Sequence, residues 1–64
     1  MVENSWGVKI YFNAVAQHMD DDIREDLHMQ LAPCSEQVFF TEYCKEHKKR
    51  FGEDFFLDTP NPIY

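Results

Sequence analysis

The longest amphipathic pattern in this chain is SEQVFFTEYCKEHKKRFG, which occupies residues 35–52. Its core-type side chains recur at intervals of three and four residues, which places them on one stripe of an α-helix. The stripe consists of Phe40, Tyr43, Cys44, His47 and Phe51. The pattern therefore predicts a helix with one buried face, and we expect that face to hold much of the core.

Both ends of this helix carry local signals. Ser35 is a favourable N-cap, because its side-chain oxygen can accept a hydrogen bond from an otherwise unpaired backbone N–H. Gly52 can adopt the left-handed conformation that ends a helix. The last turn contains Lys48, Lys49 and Arg50, whose positive charges suit the helix dipole. On the solvent face we expect the pairs Glu42–Lys45 and Glu46–Arg50.

The chain has 64 residues, with six Phe, three Tyr and one Trp. This length predicts a single domain, residues 1–64, near the lower limit for a self-sufficient core. Each large aromatic side chain can bury roughly 150–250 Å². We therefore expect a small aromatic core, which a homodimer would reinforce.

The net charge is −6, from twelve acidic and six basic residues. Direct binding of nucleic acid normally requires a basic excess, so the composition argues against DNA or RNA as a ligand. It favours a protein partner with a basic surface. No signal-peptide pattern or apolar run of about 20 residues is present, so we expect a cytoplasmic protein without membrane contact and with reduced Cys34 and Cys44.

The remaining segments predict a small α+β domain. Residues 8–12 are β-branched and aromatic, which predicts a strand with Lys9 and Tyr11 facing outward. Residues 13–19 fit a strand or a helix, and residues 20–31 fit a helix that ends before Pro33. Residues 55–57 predict a second strand, and Ile63 and Tyr64 an apolar end docked on the body. The order is then β-α-α-β, with two helices packed on a short two-stranded sheet.

An acidic cluster opens the first predicted helix. It places five carboxylates within seven residues, with a methionine one turn later: Asp20, Asp21, Asp22, Glu25, Asp26 and Met29. The cluster fits a solvated helix face, but it also fits a partner-binding patch, since methionine adapts well at interfaces. It lacks the spacing and the glycine of a calcium loop.

A short acidic chain with such a helix resembles the phage-encoded anti-CRISPR and anti-restriction inhibitors. The resemblance rests on residues 20–26, on size and on charge. It implies a non-enzymatic inhibitor in the cytoplasm of the host cell, which mimics DNA and engages a basic surface of a nucleic-acid-binding machine. The basic residues near the end of the second helix depart from uniform DNA mimicry.

The cysteine and histidine residues raise the question of a zinc site. Cys44 and His47 lie one helical turn apart, with Cys34, His28 and His18 upstream. The spacing matches no established zinc pattern, so we expect no metal and no cofactor. The alternative to an inhibitor is a small structural module with no inhibitory role, which would be dimeric or zinc-stabilised. No set of nucleophile, base and orienting group indicates an enzyme.

Overall fold

The structure, a computed structural model, describes residues 1–62. Its elements are two strands, β1 (Val2–Glu3) and β2 (Lys9–Ile10), followed by three helices, α1 (Phe12–Gln17), α2 (Asp21–Gln30) and α3 (Glu36–Phe51). The α+β class and the two-stranded sheet are confirmed, with three helices in place of two. None of the helices in residues 1–62 has the length and apolar character that crossing a membrane requires. The predicted docking of Ile63 and Tyr64 lies outside the described residues.

The two long helices have the predicted bounds. The Ser35 hydroxyl accepts a hydrogen bond from the Val38 N–H at 3.2 Å, so Ser35 caps α3. Gly52 ends this helix with φ at 74°, and its N–H donates to the Lys48 carbonyl at 2.8 Å. Asp20 caps α2. These boundaries follow local capping chemistry, which explains why the sequence predicts them.

Residues 13–19, whose sequence fits either a strand or a helix, are helical as far as Gln17. The predicted strand over residues 8–12 is shorter than expected, since β2 ends at Ile10 and α1 begins at Phe12. The alternation within it is confirmed: Ile10 is buried, while Lys9 and Tyr11 are exposed. Val15, at the centre of α1, is completely buried.

The predicted position of the second strand is wrong. The partner of β2 is β1, which runs antiparallel to it with Val2 opposite Ile10, and residues 55–57 are not a strand. Instead the chain turns there, with the Asp58 N–H donating to the Phe55 carbonyl at 2.8 Å. The observed order is β-β-α-α-α, because the two strands form a hairpin at the N-terminus.

The core forms between the hairpin, the helices and the segment after α3. Its buried apolar residues are Val2, Ile10, Val15, Met19, Ile23, Leu27, Phe39, Phe40, Tyr43, Phe55 and Leu57. The expectation that Phe51 is buried is wrong, since its side chain is 52% exposed. Phe55 packs on Tyr43 and His47 instead, with ring centroids 4.9 and 5.4 Å away. The chain turns back at Gly52, and Phe55 thus takes the place that periodicity assigns to Phe51.

Asn4 joins the hairpin to the C-terminal segment of residues 55–59, which we call the tail. Its buried side chain donates from Nδ2 to the carbonyls of Leu57 and Thr59, at 2.9 and 2.8 Å. The Oδ1 atom accepts from the N–H groups of Trp6 and Val8, at 2.9 and 3.1 Å. The Asn4 side-chain amide therefore pairs two backbone N–H groups of the hairpin turn and also holds the tail against the hairpin.

Replacing Asn4 with alanine is expected to lower the free energy of unfolding by about 2–4 kcal/mol, because two carbonyls and two N–H groups lose their partner. Urea denaturation followed by circular dichroism measures this change. The exposed Asn13 in α1 provides a matched control, and Asn13→Ala should be nearly neutral. Equal stability of the two variants would contradict the role assigned to Asn4.

Candidate functional site

The candidate site is the solvent side of α2. We call Asp21, Asp22, Glu25, Asp26 and Met29 the acidic face. The opposite side of the helix buries Ile23 and Leu27, which are 1% and 3% exposed and pack into the core. That burial fixes the rotation of α2 and directs the carboxylates outward.

Most of the net charge belongs to this helix. Residues 20–31 contain five carboxylates and one arginine, a sum of −4. Residues 1–19 contain one acidic and one basic residue, and residues 32–64 contain six acidic and four basic residues, a sum of −2. Four of the six excess negative charges therefore lie on residues 20–31, which make up less than a fifth of the chain.

Asp20 has a structural role in this helix. Its Oδ1 atom accepts hydrogen bonds from the N–H groups of Asp22 and Ile23, at 3.0 and 3.2 Å. In addition, the Asp20 N–H donates to the Tyr43 hydroxyl at 2.7 Å, which ties the start of α2 to α3. The sequence groups Asp20 with the binding residues, whereas the structure uses this carboxylate as a helix cap.

Two carboxylates of the acidic face form ion pairs. Asp21 pairs with Arg24 at 3.0 Å within α2. Asp26 pairs with Arg50 of α3 at 2.7 Å, and this hydrogen bond raises the pKa of Arg50. Sequence reasoning missed both pairs. The first has the helical i, i+3 spacing that signals such a pair, but no local signal relates two residues 24 positions apart.

Asp22, Glu25 and Met29 are the other residues of the acidic face. Among residues 1–62, neither Asp22 nor Glu25 takes part in an ion pair. They are one helical turn apart, and Met29, one turn beyond Glu25, is 79% exposed. This arrangement presents two uncompensated negative charges beside a flexible apolar side chain.

The basic end of α3 is largely compensated by neighbouring carboxylates. The predicted pairs Glu42–Lys45 and Glu46–Arg50 are confirmed, each at 3.5 Å. Lys48 lies 3.4 Å from Asp54. Within residues 1–62, three of the four cations near this end therefore have an acidic partner.

The cysteines occupy different environments. Cys34 is exposed in the link between α2 and α3, and Cys44 is half-buried on α3. Burial, with the nearby Asp58 and Asp54 carboxylates, raises the pKa of the Cys44 thiol from 9.0 to about 12. Cys44 is therefore protonated at neutral pH and a poor nucleophile. Within the described part of the chain, no three Cys, His, Asp or Glu side chains are grouped to hold a metal ion.

His47, which lies one helical turn after Cys44, packs against aromatic residues. Its Nδ1 atom lies 3.0 Å from the Glu53 carbonyl oxygen, and its ring contacts Tyr43, Phe51 and Phe55. The imidazole therefore supports the turn that follows α3.

Comparison with known proteins identifies a family. The family model described as anti-CRISPR protein AcrIC5 matches residues 3–55, which include β2, all three helices and the whole acidic face. No curated protein matches the chain. No solved structure matches it either.

Proposed function

Because this chain belongs to the anti-CRISPR protein AcrIC5 family, we propose that it inhibits a CRISPR–Cas complex by binding one of its proteins through the acidic face of α2. Family membership confirms the predicted resemblance to anti-CRISPR inhibitors. The residues that bind, and the surface they bind to, belong to the proposal. Its partner is a protein surface that is basic because it normally contacts nucleic acid.

The concentration of charge on α2 carries this proposal. A groove that binds nucleic acid is lined with lysine and arginine, which neutralise phosphates. Asp22 and Glu25 offer such a groove two carboxylates that have no ion-pair partner within residues 1–62. The helix already holds their backbone at a fixed spacing, so binding costs less conformational entropy than it would for a disordered segment.

Charge and apolar contact act at different stages of binding. Long-range attraction to a basic groove raises the association rate, and salt screens it. Met29 adds apolar contact after docking and slows dissociation. The protein then acts in the host cytoplasm by occupying the groove, without catalysis, cofactor or direct contact with nucleic acid.

The proposal is tested by competition. A CRISPR–Cas complex that the protein inhibits in a plasmid-interference assay is purified, and its affinity for labelled target duplex is measured at increasing inhibitor concentrations. We expect the apparent Kd of the duplex to rise in proportion to inhibitor concentration, and inhibitor binding to weaken with salt. Inhibition that leaves duplex affinity unchanged would exclude this mechanism, and so would a covalent change in the complex detected by mass spectrometry.

A further inference from the structure

Arg50 is a cation that contacts the acidic face directly. Its Nη2 atom donates a hydrogen bond to the Asp26 Oδ2 atom at 2.7 Å, and its Nε atom lies 3.5 Å from the Glu46 Oε2 atom. Asp26 belongs to α2, whereas Glu46 and Arg50 belong to α3. The guanidinium therefore bridges the two helices and neutralises one carboxylate of the proposed binding surface.

The Asp26 carboxylate lies on the same side of α2 as the two carboxylates that have no ion-pair partner within residues 1–62. Asp22 and Glu25 precede Asp26 by four residues and by one residue, and side chains with this i, i+3, i+4 spacing share one face of a helix. The Asp26 side chain is 45% exposed, so burial does not keep it from a partner. Asp26 therefore differs from Asp22 and Glu25 mainly by its pairing with Arg50.

Arg50 opposes the binding of a basic surface in two ways. Its positive charge repels such a surface within the distance at which salt does not screen charges. It also occupies Asp26, so a cation of the partner can pair with this carboxylate only by displacing the guanidinium. In return the pair adds little to stability, because both side chains are partly exposed, Arg50 at 34%. The charge of Arg50 therefore acts mainly against binding.

We infer that Arg50 limits the affinity of the protein for its partner by neutralising Asp26. This inference rests on the proposed function, which makes the partner surface basic. Without the guanidinium, Asp26 joins Asp22 and Glu25 as a contact for lysine or arginine side chains of the partner. Arg50 thus determines affinity through Asp26, and the acidic face holds one more carboxylate than it offers to a basic groove.

Replacing Arg50 with glutamine tests this inference, because it predicts a gain of binding. Surface plasmon resonance against the purified CRISPR–Cas complex that the protein inhibits should show a Kd about 2- to 10-fold lower than that of the parent. Damage to the fold would lower the affinity, so unfolding cannot imitate this result. Arg50→Met, with another unbranched helix-forming side chain, should show the same gain. Parental or weaker affinity in both variants would overturn the inference.

Lys49 provides a matched control for net charge. It precedes Arg50 on α3 and has no ion-pair partner within residues 1–62, but it lines the cleft between α3 and the hairpin, together with Glu3 and Asn4. Lys49→Gln changes the net charge from −6 to −7, as Arg50→Gln does. Charges more than about 8 Å apart are largely screened at physiological salt, so this variant should bind like the parent. An equal gain in both variants would overturn the role assigned to Asp26.

Replacing Asp26 with asparagine shows whether Arg50 acts through this carboxylate. The substitution should weaken binding more in the Arg50→Gln background than in the parent, because only there is the carboxylate free to pair with a cation of the partner. An equal loss in the two backgrounds would mean that the two residues act independently. That result would also overturn the inference.

The acidic face is tested separately in the same assay. Replacing Asp22 and Glu25 with lysine should remove binding if the proposed function holds. Loss in that variant together with parental affinity in Arg50→Gln would overturn only the inference about Arg50. Parental affinity in the lysine variant would overturn the proposed function itself, and the inference with it.

Discussion

Replacing Phe40 with alanine is expected to reduce the free energy of unfolding by about 3–5 kcal/mol. The Phe40 side chain is 1% exposed and is among the largest side chains of the core. Its removal loses apolar burial and leaves a cavity that the surrounding helices fill only in part. A domain of this size has a total stability of only about 3–10 kcal/mol, so the variant should be largely unfolded at physiological temperature.

Thermal and urea denaturation, followed by circular dichroism, measure this effect. Phe51→Ala is the matched control, because it removes the same side chain from the same helix at a position that is 52% exposed. It should melt within a few degrees of the parent. If Phe40→Ala did the same, the buried face assigned to α3 would be incorrect.

Reversing Asp22 and Glu25 to lysine is expected to abolish binding to the CRISPR–Cas complex and with it inhibition. The change places two positive charges against a basic groove, which lowers the association rate and removes attractive contacts at the interface. The fold should persist, since both side chains are exposed and neither has an ion-pair partner among residues 1–62. Losing a carboxylate from the first turn of α2 costs about 0.3–1 kcal/mol.

Asp26 is left unchanged in this variant for a structural reason. A lysine at that position would face Arg50, which now lies 2.7 Å from the Asp26 carboxylate. The resulting repulsion between α2 and α3 would destabilise the fold, and a loss of binding could then be due to unfolding. The double variant keeps the two effects separate.

A second double variant controls for net charge. Replacing Glu36 and Glu53 with lysine also changes the charge by +4, from −6 to −2. It also removes one first-turn carboxylate, here from α3. Surface plasmon resonance at several salt concentrations should show binding for this control and none for the Asp22/Glu25 variant. Equal binding of the two variants would show that the acidic face is not the contact surface.

The sequence alone predicts the two long helices correctly, because the signals that define them are local. Ser35 and Asp20 accept hydrogen bonds from N–H groups two or three residues away, and Gly52 ends α3 through its own backbone conformation. The periodicity of Ile23 and Leu27 likewise identifies the buried side of α2. The outward direction of the acidic face follows from the same pattern.

Only the tertiary structure determined the partner of β2 and the surroundings of the functional residues. A strand as short as β2 can pair with more than one segment, and in the structure it pairs with β1 rather than with residues 55–57. Residues 55–59 are instead held by hydrogen bonds from Asn4 to carbonyls more than 50 residues away. The exposure of Phe51 and the pairing of Asp26 with Arg50 likewise depend on how separate segments pack. Local sequence carries no signal for such contacts, because their free energy arises only when distant parts of the chain meet.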